Sequence, residues 1–190
     1  MNLNHLPNII TLLRVALLLP LAYYLIQKDY QIALVIFMIA GASDALDGFL
    51  AKHFKWTSRF GAIADPLADK MLMLVSYSYL AIENYLPLWL LAIVVGRDIF
   101  IVTAAYAFHR RFGPFDMQPS WLSKFNTTFQ IFLVTWVMFS LVFTQIPELV
   151  KDLLILLVTI TSVGSGLQYG WLGFNETKMK LDQQNNKERE

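Results

Sequence analysis

The chain has 190 residues, of which 56% are hydrophobic and 15% charged, with a formal net charge of +1. About 25% charged residues is typical of a soluble domain, so this composition predicts an all-α integral membrane protein. The small net charge and the absence of cysteine exclude a nucleic-acid binder built on a basic patch, a disulfide scaffold and Cys-type zinc sites.

Six apolar stretches are each long enough to cross a bilayer as a helix, which takes about 20 residues. In chain order they cover residues 8–27, 31–51, 64–83, 85–108, 122–145 and 149–172. The connections between them leave no room for a second domain. We therefore expect one membrane domain over residues 1–174, followed by a polar tail over 175–190 that is frayed and solvated.

The distribution of Lys and Arg predicts the orientation of these helices. The 52–61 connection, the 109–124 connection and the tail together hold ten of these residues, whereas the opposite loops hold only Lys28 and Lys151. Because cytoplasmic loops of membrane proteins carry the excess of positive residues, both termini are expected in the cytoplasm. We expect the protein in a bacterial inner membrane.

Four carboxylates are placed where an apolar helix should have none. Asp44 and Asp47 are three residues apart near the end of the second predicted helix, and Asp65 and Asp69 are four apart at the start of the third. Either spacing puts two side chains on one helical face, and antiparallel helices would bring all four together. Such a cluster requires protonation or hard divalent cations such as Mg²⁺, Mn²⁺ or Ca²⁺, and a metal pair would suit phosphoryl chemistry. Asp65 before Pro66 also predicts a helix N-cap, a role that does not exclude metal ligation.

The same carboxylates belong to a longer pattern that resembles the signature of the CDP-alcohol phosphotransferase family, D-x2-D-G-x2-A-R-x8-G-x3-D-x3-D. Seven of its eight fixed positions match, and Lys52 stands where the family usually has Arg. Lysine keeps the charge but lacks the two-pronged geometry that grips a phosphate. The matching residues are Asp44, Asp47, Gly48, Ala51, Gly61, Asp65 and Asp69.

The resemblance implies a reaction in which an acceptor hydroxyl attacks the β-phosphorus of a CDP-linked lipid and CMP leaves. It implies that Asp44, Asp47 and Asp65 hold two divalent cations, Mg²⁺ or Mn²⁺, and that Asp69 completes this site and acts as general base. It also implies a homodimer. CDP would lie against the backbone at Gly48, Ala51, Lys52 and Gly61, although the two glycines also fit close helix packing.

The opening segment is similar to the branch that contains phosphatidylglycerophosphate synthases and CMP-forming cardiolipin synthases. Asn8, Thr11 and Arg14 follow one another at intervals of three, which puts them on one helix face as a polar stripe directed to the interior. A plain interfacial cap is the alternative for these residues. If the stripe faces the interior, it is a candidate to bind acceptor or phosphate.

The acceptor is predicted from the fourth and fifth helices. Synthases that use glycerol 3-phosphate commonly have a lysine where this chain has Asn126 and Arg-Glu where it has Arg97-Asp98. Fewer cationic partners suit an acceptor with a single phosphodiester charge. We therefore expect CDP-diacylglycerol and phosphatidylglycerol as the lipid partners, giving cardiolipin, with glycerol 3-phosphate as the alternative acceptor. Arg97 and Lys124 are the candidate anion ligands, although Arg97 could instead pair with an acid such as Asp98 on a neighbouring helix.

Two other classes of protein remain open. A small cation channel or carrier would also place acids in a membrane, but these acids cluster at one membrane face rather than along a path. A catalytically inactive scaffold would be expected to lack a signature acid, and none is missing.

Overall fold

The computed structural model consists of helices and short turns. It describes the backbone of residues 6–54, 59–112, 120–143 and 147–187, and the side chains of residues 11–43, 67–111, 120–143 and 147–180. Within these ranges there are six helices, as the six apolar stretches predict. They are α1 (Leu6–Ile26), α2 (Tyr30–Phe54), α3 (Arg59–Ile82), α4 (Leu88–Phe112), α5 (Trp121–Val142) and α6 (Glu148–Lys187).

Three of the described helices are long and apolar enough to cross a membrane. They are Leu88–Arg111, Trp121–Val142 and Glu148–Lys180, while the apolar stretches Thr11–Ile26 and Tyr30–Ser43 are shorter. Large apolar side chains are exposed along these helices, for example Leu167 at 70% and Phe174 at 69%. Because such a surface suits lipid and not water, the fold is that of an all-helical membrane protein.

Two details differ from the sequence-based expectations. Helix α3 begins at Arg59, six residues before Asp65, so the prediction that Asp65 caps this helix is wrong. The residues before Asp65 include Ala62 and Ala64, which favour helix and allow the helix to start earlier. Helix α6 continues to Lys187, so the expected frayed tail is helical over most of its length.

The chain divides into two compact units. The first combines Met1–Pro87 with Ile131–Lys151, and the second combines Leu88–Gln130 with Asp152–Glu190. In the first unit α1 packs against α2 and α3. Its interior is made of fully buried apolar side chains such as Leu21, Leu25 and Leu80.

Helices α1 and α3 end in the same way. Lys28 and Asn84 adopt left-handed backbone conformations, with φ of 61° and 63°. The amide of the following residue reaches back to a helix carbonyl in each case, Asp29 to Tyr24 at 3.0 Å and Tyr85 to Leu80 at 2.8 Å. These are Schellman caps, which satisfy carbonyl groups at a helix end and reverse the chain. The carboxylate of Asp29 then accepts a bond from the Ile32 amide at 3.3 Å and caps the start of α2.

Side chains connect the two turns. The ammonium group of Lys28 lies 2.7 Å from the Glu83 carboxylate, and the hydroxyl of Tyr30 lies within hydrogen-bond distance of the Tyr79 and Tyr85 hydroxyls. The hydrogen bond to Glu83 raises the pKa of Lys28. The end of α3 is thereby fixed to the α1–α2 turn.

The left-handed conformation at Asn84 predicts an unequal effect of two substitutions. Asn84→Val should lower the free energy of unfolding by about 1–2 kcal/mol, since a β-branched residue is disfavoured at positive φ. Asn84→Gly should change it little, because glycine adopts this conformation freely. Thermal unfolding in detergent, followed by circular dichroism, measures both; equal stability of the two variants would contradict the cap.

Candidate functional site

The signature residues are carried by two helices of the first unit. Asp44, Asp47, Gly48, Ala51 and Lys52 lie on α2, and Gly61, Asp65 and Asp69 lie on α3. Of these, only Asp69 is among the residues whose side chains are described. The predicted convergence of the four carboxylates, and the side chain of Asn8 on α1, therefore lie outside the described residues.

Asp69 is held near a buried cation. An Nη1 atom of Arg14 on α1 lies 4.0 Å from an Oδ1 atom of Asp69 on α3. The Arg14 side chain has no exposed surface, whereas 37% of the Asp69 side chain is exposed. A carboxylate positioned by a buried arginine and still accessible is suited to meet a substrate or a metal ion.

The stripe predicted on α1 faces the interior where its side chains are described. Thr11 is 1% exposed and Arg14 is fully buried. Both lie within α1, which begins at Leu6, so neither is an interfacial cap. Burial of an arginine in an apolar helix is costly, and such residues usually have a functional role.

A second polar centre, formed around Arg97 of α4, lies in the second unit. Its Nε donates to the Ser165 hydroxyl at 3.0 Å, one Nη donates to Asp98 at 2.7 Å, and the other donates to Ser123. Since a guanidinium has five N–H donors, two of them are not used in these bonds. The ion pair with Asp98 is formed within α4, between adjacent residues, and not with a neighbouring helix as the alternative interpretation supposed.

Asn126 on α5 lies at a buried hydroxyl-rich contact with α6. The Ser162 hydroxyl donates to its Oδ1 at 2.7 Å, and the Thr161 hydroxyl lies 3.0 Å from the same oxygen. Its Nδ2 and the Nε2 of Gln130, one turn further along α5, are buried without a hydrogen-bond partner among the described residues. The position therefore holds a neutral amide within a polar strip of the helix contact.

Lys124, the other candidate anion ligand, is exposed on the first turn of α5. Its ammonium group lies 4.7 Å from the centre of the Trp121 ring, in a cation–π contact. The Lys124 side chain is thus exposed, whereas the Arg97 side chain is mostly buried.

The sequence did not predict that hydroxyl residues of α6 contact the candidate site residues. Thr161, Ser162 and Ser165 provide the polar surface that Asn126 and Arg97 contact. The available signal was their spacing, since residues 161, 162 and 165 lie on one side of an otherwise apolar helix. Serine and threonine are common in membrane helices and carry little weight alone.

Comparison with known proteins identifies the family. The family model described as CDP-alcohol phosphatidyltransferase matches residues 4–164, most of the chain. The chain belongs to the CDP-alcohol phosphatidyltransferase family. This confirms the resemblance seen in the signature.

Relatives in this family have two kinds of name. The human protein named cardiolipin synthase (CMP-forming) is 29% identical over 86% of this chain and 60% of its own length. The proteins named CDP-diacylglycerol--glycerol-3-phosphate 3-phosphatidyltransferase from Aquifex aeolicus and Haemophilus influenzae are 33% and 32% identical, over 79% and 87% of this chain. The matches cover 89% and 91% of those two proteins. The chain thus spans about 60% of the human relative and most of the bacterial ones.

Substitutions of the two buried amides of α5, Asn126 and Gln130, should have different effects on stability. Asn126→Leu should lower the free energy of unfolding by about 1–3 kcal/mol, because it leaves the buried Ser162 hydroxyl without its acceptor. Gln130→Met removes a buried nitrogen that has no partner among the described residues, so stability should be unchanged or raised. Thermal unfolding of both variants in detergent tests this, and a stable Asn126→Leu protein would contradict the assigned contact.

Proposed function

We propose that the protein is a phosphatidyltransferase in which an acceptor hydroxyl attacks the β-phosphorus of CDP-diacylglycerol. The new P–O bond forms a phosphodiester, the bond to the CMP oxygen breaks, and CMP leaves. The observation that carries this proposal is the family signature spread over α2 and α3, with its last aspartate accessible beside a buried arginine.

Asp69 is the proposed general base. A carboxylate can take the proton of the acceptor hydroxyl as that oxygen attacks. Arg14 is the positioning residue, since its guanidinium, 4.0 Å from Asp69, limits where the carboxylate can lie. Because the Arg14 side chain is fully buried, it cannot move freely, and the position of α1 therefore limits where the Asp69 carboxylate on α3 can lie.

Asp44, Asp47, Asp65 and Asp69 are the residues that would hold two divalent cations, Mg²⁺ or Mn²⁺. The fit rests on the chemistry of the donors, four carboxylates on two helices, and on the accessibility of Asp69. Such ions would supply neutralisation of the negative charge that develops on the phosphates. Gly48, Ala51, Lys52 and Gly61 would line the CDP site, the small residues letting the nucleotide approach the backbone.

Phosphatidylglycerol is the preferred acceptor, and the product is then cardiolipin. Buried Asn126 supports this choice, because its neutral amide, bonded to the Ser162 hydroxyl, stands where a second cation would suit a phosphomonoester. Arg97, with two N–H donors not used in its described bonds, and the exposed Lys124 would bind the single acceptor charge. Asn8, Thr11 and Arg14 would complete the phosphate contacts. Glycerol 3-phosphate is the alternative acceptor, favoured by the names of the two bacterial relatives.

The topology is part of the proposal. All six helices would cross the membrane as one domain over residues 1–174, with residues 175–190 as a polar extension and both termini in the cytoplasm. The excess of Lys and Arg in the connections on that side supports this orientation in a bacterial inner membrane. The working unit would be a homodimer. A cation channel or carrier is the rival class, and release of CMP separates it from an enzyme.

The first prediction from this proposal concerns products. Purified protein with Mg²⁺ or Mn²⁺ should convert CDP-diacylglycerol and phosphatidylglycerol to cardiolipin and CMP, measured by thin-layer chromatography of a labelled lipid. Glycerol 3-phosphate is offered in a parallel reaction. Formation of phosphatidylglycerophosphate without cardiolipin would show that glycerol 3-phosphate is the acceptor. Absence of CMP in both reactions would contradict the proposed phosphatidyltransferase activity.

A second prediction concerns the base. Asp69→Asn should lower CMP release by about 10²–10⁴-fold, the usual range for loss of a general base. Asp152→Asn, the same change at an exposed residue on the first turns of α6, should leave the rate within twofold. Because the neutral amide no longer offsets the charge of the buried Arg14, the thermal unfolding midpoint should fall, and the rates are compared at a temperature where circular dichroism shows that the variant is folded. A folded Asp69→Asn protein with normal turnover would remove Asp69 as base.

A further inference from the structure

A groove of about 410 Å³ lies between α1 and α3 in the first unit. Its α1 side is apolar and includes Ala22 and Leu25, whereas its α3 side combines apolar residues with Ser78, Tyr79 and Glu83. Glu83 lies in the turn that follows α3, so the groove has an apolar part along the helices and a polar end at this turn. None of its described lining residues belongs to the signature or to the candidate acceptor ligands.

The groove opens onto apolar surface. Ile26 on α1 and Ile82 on α3 both line it, and they expose 68% and 70% of their surfaces. The stretch Thr11–Ile26, which forms the α1 side, is one of the apolar helices of the protein. A ligand that enters from such a surface must itself be largely apolar, and the acyl chain of a bilayer lipid meets this requirement.

The polar end of the groove carries an exposed ion pair that can make further bonds. The Lys28 ammonium lies 2.7 Å from the Glu83 carboxylate, and 60% and 30% of the two side chains are exposed. An ammonium has three N–H donors and a carboxylate has two oxygens, so this contact leaves donors and an acceptor for a ligand. Asp29, next to Lys28 in the α1–α2 turn, is also exposed. Two carboxylates and one ammonium give this end an excess of negative charge, which favours a ligand that carries a cation.

Hydroxyl groups with unused hydrogens also lie along the groove. Tyr79 lines it, and the Tyr30 hydroxyl lies 3.3 Å from that of Tyr79 and 3.1 Å from that of Tyr85. Three hydroxyl hydrogens serve two bonds, so one hydrogen is left over whichever way the bonds run. Ser78, which also lines the groove, makes no hydrogen bond among the described residues. A ligand with acceptor oxygens would satisfy these hydroxyl groups.

The charges at the polar end match a zwitterionic headgroup. Such a headgroup holds a phosphate and an ammonium side by side, complementary to Lys28 and Glu83, whereas a headgroup with net negative charge would be repelled by Glu83 and Asp29. A primary ammonium can also donate hydrogen bonds to carboxylate oxygens, which a quaternary ammonium cannot.

We propose that the groove binds phosphatidylethanolamine, with its ammonium group at Glu83, its phosphate at Lys28 and one acyl chain between α1 and α3. Ser78 lies five residues before Glu83, about 7.5 Å along the helix, where an ester carbonyl of the lipid can accept its hydroxyl hydrogen. Asp69 is nine residues further back, so this lipid site is separate from the proposed catalytic one.

The test is native mass spectrometry of the full chain in detergent, titrated with the dioleoyl forms of phosphatidylethanolamine, phosphatidylcholine or phosphatidylserine. None of these lipids is a substrate or product of either proposed reaction. Wild type should retain phosphatidylethanolamine about fivefold more strongly than the other two. The reasons are that phosphatidylcholine lacks the N–H donors and phosphatidylserine adds a negative charge.

Two changes separate the headgroup contact from the ester contact. Glu83→Gln should weaken retention of phosphatidylethanolamine about fivefold, so that it binds no better than phosphatidylcholine. Glu148→Gln, the same change at an exposed residue of α6, should alter retention less than twofold. Ser78→Ala should weaken retention of both lipids by the same factor, about threefold, since both have ester carbonyls.

Two further variants fill the groove from opposite sides. Ala22→Leu on α1 and Ser78→Leu on α3 should each reduce retention of phosphatidylethanolamine. Ala92→Leu, at an exposed alanine of α4, should not reduce it. Circular dichroism checks that each variant is helical, and two fillers on different helices protect the test against misfolding of one.

Three results would overturn the proposal. Equal or stronger retention of phosphatidylcholine or phosphatidylserine by the wild type would show no selection for the primary ammonium. An equal effect of Glu83→Gln and Glu148→Gln would indicate general surface charge. If both fillers leave phosphatidylethanolamine bound, the lipid binds elsewhere. None of these readouts depends on catalysis, so loss of CMP release alone would leave the lipid site standing.

Discussion

A guanidinium without exposed surface must be compensated, and in the first unit this requirement connects α1 to α3. Moving an ion from water to an apolar interior costs several kcal/mol, and a nearby opposite charge offsets part of that cost. Arg14 is fully buried, and Asp69 lies 4.0 Å from it. The pair limits how far α1 and α3 can slide past each other near Asp69, the last residue of the signature. The rest of the first unit is consistent with this constraint, since paired Schellman caps and the Lys28–Glu83 contact fix the other ends of the same helices.

The second unit uses a different means of burying polar groups. Its helices place hydroxyl groups against one guanidinium and one amide, so that Ser165 faces Arg97 and Ser162 faces Asn126. Hydroxyl groups cost less to bury than carboxylates, and they can turn their hydrogen toward helix carbonyls when a partner is absent. The Thr161 hydroxyl has both kinds of acceptor within reach, the Leu157 carbonyl at 2.7 Å and the Asn126 Oδ1 at 3.0 Å.

The sequence predicted the number and order of the six helices because each contains a long apolar stretch. The predicted stretch 122–145 corresponds to α5, Trp121–Val142, with both ends within three residues. Predictions of helix ends from short sequence patterns were wrong where the helix continues through the pattern. Asp65-Pro66 has the pattern of a helix start, yet α3 had already begun at Arg59, and the polar tail remains helical to Lys187.

Within the candidate site, sequence spacing placed Thr11 and Arg14 on a buried face, and the structure confirms this for both residues. The partner of Arg14 could not be predicted, because spacing within a helix does not determine which neighbouring helix it meets. For the same reason the serines of α6 that contact Arg97 and Asn126 were not found. Pairings between helices depend on packing, which leaves little trace in a single sequence.

The length of α6 has a mechanical consequence. Forty residues of helix extend about 60 Å, roughly twice the hydrocarbon thickness of a bilayer. From Asn175 onward the helix is rich in charged and amide side chains. If α6 crosses the bilayer as proposed, its final turns would extend beyond the lipid headgroups, and a reporter protein fused after them would be held away from the membrane surface.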